Sequence, residues 1–151
     1  MNTPPAELYE QALEALHGTD SELAHTLATA LCVADPEEYE HQQMAGIAAL
    51  ASNRAATALE HFRRAVGLVS HPNGMAAAWS GMGQAHLLEG QLSEAEGTFR
   101  RALSLVHEFP PALFGLAEAL ERAGRFDEAE QAGRRALELG IQDPRLHVVL
   151  G

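Results

Sequence analysis

The chain has 151 residues, of which 46% are hydrophobic but only 5% aromatic, with a net charge of −11; that length predicts one domain, and the acidic balance disfavours nucleic-acid phosphates and anionic membranes as partners. The first residues lack a basic segment and a long apolar run, so neither a secretory signal nor a membrane helix is predicted. The single cysteine, Cys32, cannot close an internal disulfide, and cytoplasmic residence is the expectation.

The chain then reads as four similar segments. In the first, residues 4–38, the stretch from Ser21 to Pro36 can be laid over Ser93 to Pro110 and over Asp127 to Pro144. Leu23, Leu27 and Ala30 take the landmark positions, and Cys32 falls on the apolar side of the same helix, where core packing is expected. Aligning Gly18 with Gly90 as the turn puts Glu7, Glu10 and Glu14 where apolar residues belong, so the opening helix is expected to be irregular. The second segment, residues 39–75, has Gly46, Ala58, Phe62 and Ala65, with Gln42 at the position that Trp79 takes in the third. Three extra residues between Ser70 and Met75 predict a longer surface turn.

The third segment, residues 76–109, carries Trp79, Met82, Gly83, Gly90, Leu92, Ala95, Phe99 and Ala102. Gly90 suits a left-handed turn between two helices, whereas Gly83 lies inside a helix, where close packing is its explanation. The fourth, residues 110–143, keeps Leu113, Leu116, Gly124, Phe126, Ala129 and Ala136, with Ala117 and Gly133 at two of the landmarks. Leu23, Ala58, Ala95 and Ala129 form one equivalent series, with steps of 35, 37 and 34 residues. Leu27, Phe62, Phe99 and Gly133 form a second, and Ala30, Ala65, Ala102 and Ala136 a third. Pro36, Pro72, Pro110 and Pro144 close the segments, each able to open the next helix without wasting a backbone donor. After Pro144, the run Leu146, Val148, Val149, Leu150 and Gly151 resembles the opening of a fifth segment, and the chain is expected either to be a fragment of a longer, regulatory protein or to have this end covered by another copy or by a partner.

These landmarks resemble the tetratricopeptide repeat family, whose period is 34 residues. The eight third-segment residues fall where the family carries Trp, Leu, Gly, Gly, Tyr, Ala, an aromatic and Ala. The resemblance implies an all-α, right-handed solenoid of four helix-turn-helix repeats in a single domain over residues 1–151, with a partial helix from 144. It further implies a concave groove lined by the first helix of each repeat. The groove positions carried onto this chain are Gln43, Ile47 and Leu50, then Ser80, Gln84 and Leu87, then Phe114, Glu118 and Glu121. Ile47, Leu87 and Phe114 are the expected apolar anchors, Gln43 and Gln84 the partners of backbone groups, and Glu118 the reader of a positive charge.

The remaining chemistry-bearing residues have structural readings. Arg63-Arg64, Arg100-Arg101 and Arg134-Arg135 share one repeat position, but Glu60, Glu96 and Glu130 stand four residues before Arg64, Arg100 and Arg134, the favourable order for exposed helical ion pairs. No two of the eight histidines sit four apart, so no metal and no cofactor are predicted. His86 reads as packing, His61 as exposed and Trp79 as core. Glu118 and Glu121 read as a solvated pair and not as an acid and a base. No nucleophile has a recognisable base, and the chain reads as a non-enzymatic scaffold. It is expected to bind a protein or peptide partner, apolar or basic because no clamp of lysines and arginines lines the groove; the alternative is a homo-oligomer joined through its repeat ends.

Overall fold

The computed structural model describes residues 3–140, which form eight α-helices and, among the described residues, no strand. In chain order these are α1 Pro5–His17, α2 Ser21–Ala34, α3 Tyr39–Ala51, α4 Ala55–Leu68, α5 Pro72–Leu88, α6 Leu92–Leu105, α7 Pro110–Arg122 and α8 Phe126–Glu138. They fall into two compact units that part between Val69 and Ser70. In the first unit α1 pairs with α2 and α3 with α4, α2 packs on α3, and α1 lies against α3. The second unit repeats this scheme with α5, α6, α7 and α8.

One left-handed cap closes the first helix of every pair. Thr19, Asn53, Gly90 and Gly124 have φ of 68°, 61°, 74° and 79°. The following N–H groups reach back along the helix, Asp20 to Ala15 O at 2.9 Å, Arg54 to Ala49 O at 2.8 Å, Gln91 to His86 O at 2.9 Å and Arg125 to Leu120 O at 2.9 Å. This pattern satisfies carbonyls that a helix end leaves open. Thr19, and not Gly18, is therefore the turn residue, and the expected alignment of the first repeat is displaced by one.

That displacement changes which face of α2 is the core. Ala24, Ala28 and Leu31 are fully buried, whereas Leu23 is 47% exposed, Ala30 is exposed and Leu27 is half-buried. The helix carries two apolar stripes one residue apart, and α1 and α3 close on the stripe whose small side chains let them approach. The true steps between Ala24, Ala58, Ala95 and Ala129 are 34, 37 and 34 residues. The same correction makes α1 regular. Leu8, Ala12 and Ala15 face the core, and Glu7, Glu10 and Glu14 are exposed.

Two further expectations are revised. The three extra residues extend α5 to 17 residues, against 13 in α1, α3 and α7, and do not lengthen the turn. Pro72 opens this helix and the His71 ring accepts the Gly74 N–H at 3.0 Å. Pro5 and Pro110 open α1 and α7 in the same way. Pro36 does not open α3, which starts after Glu38; its carbonyl instead accepts the Gln42 amide at 2.8 Å. Pro144 and the fifth-repeat reading lie outside the described residues.

Alanine and glycine set the spacing of both cores. The first centres on Ala12, Ala24, Ala28, Leu31, Met44, Ala45 and Ala48. The second centres on Phe99, Leu113, Leu116 and Leu120 among nine alanines, with Trp79 half-buried at its edge. Gln42 stands where the family has Trp, yet it is fully buried. Its amide N–H donates to Pro36 O, and its oxygen accepts the His61 Nδ1–H at 2.8 Å, so both ends are satisfied.

Candidate functional site

Residues spaced by four and then three share one helix face, and each first helix presents such a triplet. In the first unit Ile47 is 42% exposed at the middle of α3, flanked by half-buried Gln43 and Leu50. The amide oxygen of Gln43 is enclosed and makes no hydrogen bond. The corrected register adds Tyr9, Leu13 and Leu16 on neighbouring α1, all half-buried. Sequence reasoning missed these three because Gly18 draws the turn one residue early. The signal that places them is Asp20, a strong N-cap type, which accepts the Leu23 N–H at 3.0 Å.

At one end of this face Pro5, Tyr9, Glu10, Asp35, Glu38, Glu40 and His41 line an open cleft of about 350 Å³. Burial, then the Glu40 carboxylate, pushes the Tyr9 and Tyr39 hydroxyl pKa values up. The first unit has no lysine or arginine before Arg54.

The second unit places its six expected residues differently from one another. Ser80 and Leu87 are buried, and Leu87, 3% exposed, belongs to the core cluster. Gln84, Phe114, Glu118 and Glu121 are half-buried, with Phe114 packed on the edge of that core. The Arg122 guanidinium donates to Leu87 O at 3.0 Å, which ties the end of α7 to α5. Of the three expected anchors, Ile47 and Phe114 present surface and Leu87 supplies packing.

Charge on the second helices is paired locally. Arg64 meets Glu60 at 3.1 Å and Arg100 meets Glu96 at 2.9 Å, while Arg134 meets Glu130. Arg101 lies over the Trp79 ring, 6.0 Å from its centroid. Two other arginines link neighbouring second helices: Arg54 holds both Glu22 oxygens at 2.9 Å, and Arg125 meets Glu96 and Glu128 at 2.7 Å. These guanidiniums hold the Glu22 and Glu128 carboxyls below their ordinary range. The pairs are exposed, so they fix geometry more than they add stability.

His61, His86 and Cys32 make their contacts within the scaffold. His61 is half-buried, against the expectation of exposure, and burial pushes its pKa down. His86 is half-buried and its Nδ1 lies 2.7 Å from the Gln91 amide oxygen. The buried Cys32 thiol donates to His41 O at 3.3 Å, and burial pushes its pKa up. No group of three or more His, Cys, Asp or Glu among the described residues is placed to hold a metal ion. No helix among them is long and apolar enough to cross a membrane.

A family model for the tetratricopeptide repeat matches residues 9–74, 44–111 and 81–144. No curated protein matches the sequence. Among solved structures, a thermophilic tetratricopeptide repeat protein of Thermus thermophilus is 25% identical, with a TM-score of 0.80 over 97% of this chain and 79% of that one. The tetratricopeptide repeat domain of Arabidopsis OM64 is 23% identical, with a TM-score of 0.66 over 74% of this chain and 89% of that one. The anaphase-promoting complex assembly Cut9-Hcn1 contains a chain 15% identical, with a TM-score of 0.83 over 97% of this chain and 29% of that one. The last two likenesses concern the fold alone.

Proposed function

The chain belongs to the tetratricopeptide repeat family, and on that footing we propose that it is a non-catalytic protein-interaction module that takes an apolar or basic peptide or helix on its first-helix faces. Proteins of this all-α repeat class generally bind protein partners, and the observation that carries the reading here is the placement of Ile47. A large aliphatic side chain stands 42% exposed in the middle of α3, between polar Gln43 and apolar Leu50, in a unit without lysine or arginine before Arg54. Such a surface favours an apolar anchor and a cationic neighbour, and it opposes an acidic tail. Gln43 supplies an amide for a backbone group beside Ile47; within the second unit by itself, Gln84 supplies an amide, Phe114 an apolar contact, and Glu118 and Glu121 negative charge. The buried Ser80 and Leu87 support the face from beneath. Cytoplasmic residence fits this role.

Selection from a displayed random peptide library against the full chain tests the reading. Enrichment of apolar residues with Lys or Arg, together with at least a tenfold loss of affinity in Ile47→Glu, is expected. Enrichment of Asp- and Glu-rich sequences, or binding indifferent to Ile47, overturns it.

A further inference from the structure

The second helices are built alike in three repeats and differently in the first. Ala30 on α2 stands at the repeat position of Arg64, Arg101 and Arg135, all exposed. Leu23 and Leu27 likewise stand where the other second helices have Thr57 and His61, Glu94 and Thr98, or Glu128 and Ala132. The spacing of Leu23, Leu27, Ala30 and Ala34 by four, three and four residues places them on one flank of α2. Leu23, Ala30 and Ala34 on it are exposed, and the neighbouring Val33 is 81% exposed. The opposite flank is occupied: Arg54 of α4 holds Glu22 and also bears on His25.

Charge identifies what fits the open flank. Within each unit a later second helix carries an arginine at its N-cap, Arg54 or Arg125, and reaches back to a glutamate on the earlier one, Glu22 or Glu96. At that N-cap position α2 carries Asp20. The polarity of the internal contact is thus reversed on α2, which offers a carboxylate where its counterparts offer a guanidinium. Asp35, Glu37 and Glu38 follow its other end, and no arginine or lysine occurs before Arg54. A second copy of this chain brings no complementary charge from these residues, because an antiparallel α2 pair would set Asp20 against Asp35 and Glu37. We propose that the flank of α2 formed by Leu23, Leu27, Ala30 and Ala34 docks a basic amphipathic helix of a protein partner. Its apolar residues lie along the stripe and its lysines or arginines meet the carboxylates at the two ends. The stripe runs roughly 17 Å at 1.5 Å per residue, which suits about three turns of a docked helix.

The test uses the full chain and two labelled 18-residue helical peptides with the same leucine stripe, one flanked by arginines and one by glutamates, followed by fluorescence anisotropy. The arginine peptide is expected to bind at least tenfold more tightly than the glutamate peptide. Ala30→Arg, which installs the residue that three other second helices carry there, is expected to weaken that binding at least tenfold. The uncharged Leu23→Gln/Ala34→Gln variant is expected to do the same, which separates loss of the stripe from added positive charge and supplies a second folded variant. Circular dichroism melting verifies that each variant folds. Binding unchanged in both stripe variants overturns the proposal, as does equal binding of the two peptides. A concentration-dependent dimer abolished by Ala30→Arg also overturns it, since the occupant is then a second copy.

Discussion

Gly83 and Phe99 occupy one shared volume: a Cβ on Gly83 would lie 2.6 Å from Cε1 of the Phe99 ring, closer than real Cβ contacts come. Gly46 and Phe62 stand in the same relation, again at 2.6 Å. The two partners are sixteen residues apart in both pairs, and at the same spacing the other repeats have Ala12 with Ala28 and Ala117 with Gly133. Where the second helix supplies a phenyl ring the first helix has no side chain, and where the first helix has a methyl group the second has alanine or glycine. Summed volume is held within bounds in each pair, as close packing requires.

Gly83→Ala is therefore expected to destabilise the protein by about 1–3 kcal/mol through overpacking, against a gain of about 1 kcal/mol in helix propensity. Gly97→Ala, on the facing helix with nothing within 4 Å of the new Cβ, is expected to gain about that propensity alone. Urea unfolding followed by circular dichroism compares the two, and opposite signs are the expected result. Gly83→Ala/Phe99→Leu should recover part of the loss, because the smaller side chain vacates the contested space.

Thr19 is a β-branched residue at φ 68°, at the position where Gly90 and Gly124 stand in the second unit. Its Cβ makes that conformation cost about 1–2 kcal/mol. Thr19→Gly is expected to raise the melting temperature. Gly90→Thr, which moves the same strain into the second unit, is expected to lower it.

His61 and His25 give the first unit a defined pH response. Burial is the main cause that lowers both pKa values from 6.5; for His61 the Arg64 and His25 charges also lower it while Glu60 raises it, and for His25 Arg54 lowers and Glu22 raises. The unfolded chain therefore takes up protons first, so stability is full above about pH 6.5 and declines as pH falls through 6.5 towards the folded values. The carboxyls lowered from 4.5, Glu22 and Glu128, lose their contribution only at lower pH. Thermal melts are expected to fall between pH 7.5 and 5.5, and His61→Gln should flatten that slope.

Leu87 and Ile47 separate core from surface. Leu87→Ala is expected to cost about 2–5 kcal/mol, as for other buried leucines, because it is 3% exposed in the second core. Ile47→Ala, at 42% exposure, should change stability by less than about 1 kcal/mol and weaken partner binding. Parallel melting and peptide titration of the two variants checks this difference.

The repeat architecture follows from the order of residues alone, because small residues recur at helical spacing over three intervals and no other local arrangement satisfies that period. So do the local ion pairs of Arg64, Arg100 and Arg134, which depend only on positions four apart along a helix. The register of α2 does not. Leu23, Leu27 and Ala30 obey the helical period as well as Ala24, Ala28 and Leu31 do, and only contact with α1 and α3 selects which stripe is buried. The same choice brought Tyr9, Leu13 and Leu16 to the first-helix face, and packing within the second unit placed Leu87 beneath its own. Periodicity tells a residue which neighbours share its face, whereas packing against another helix tells that face whether it meets protein or water.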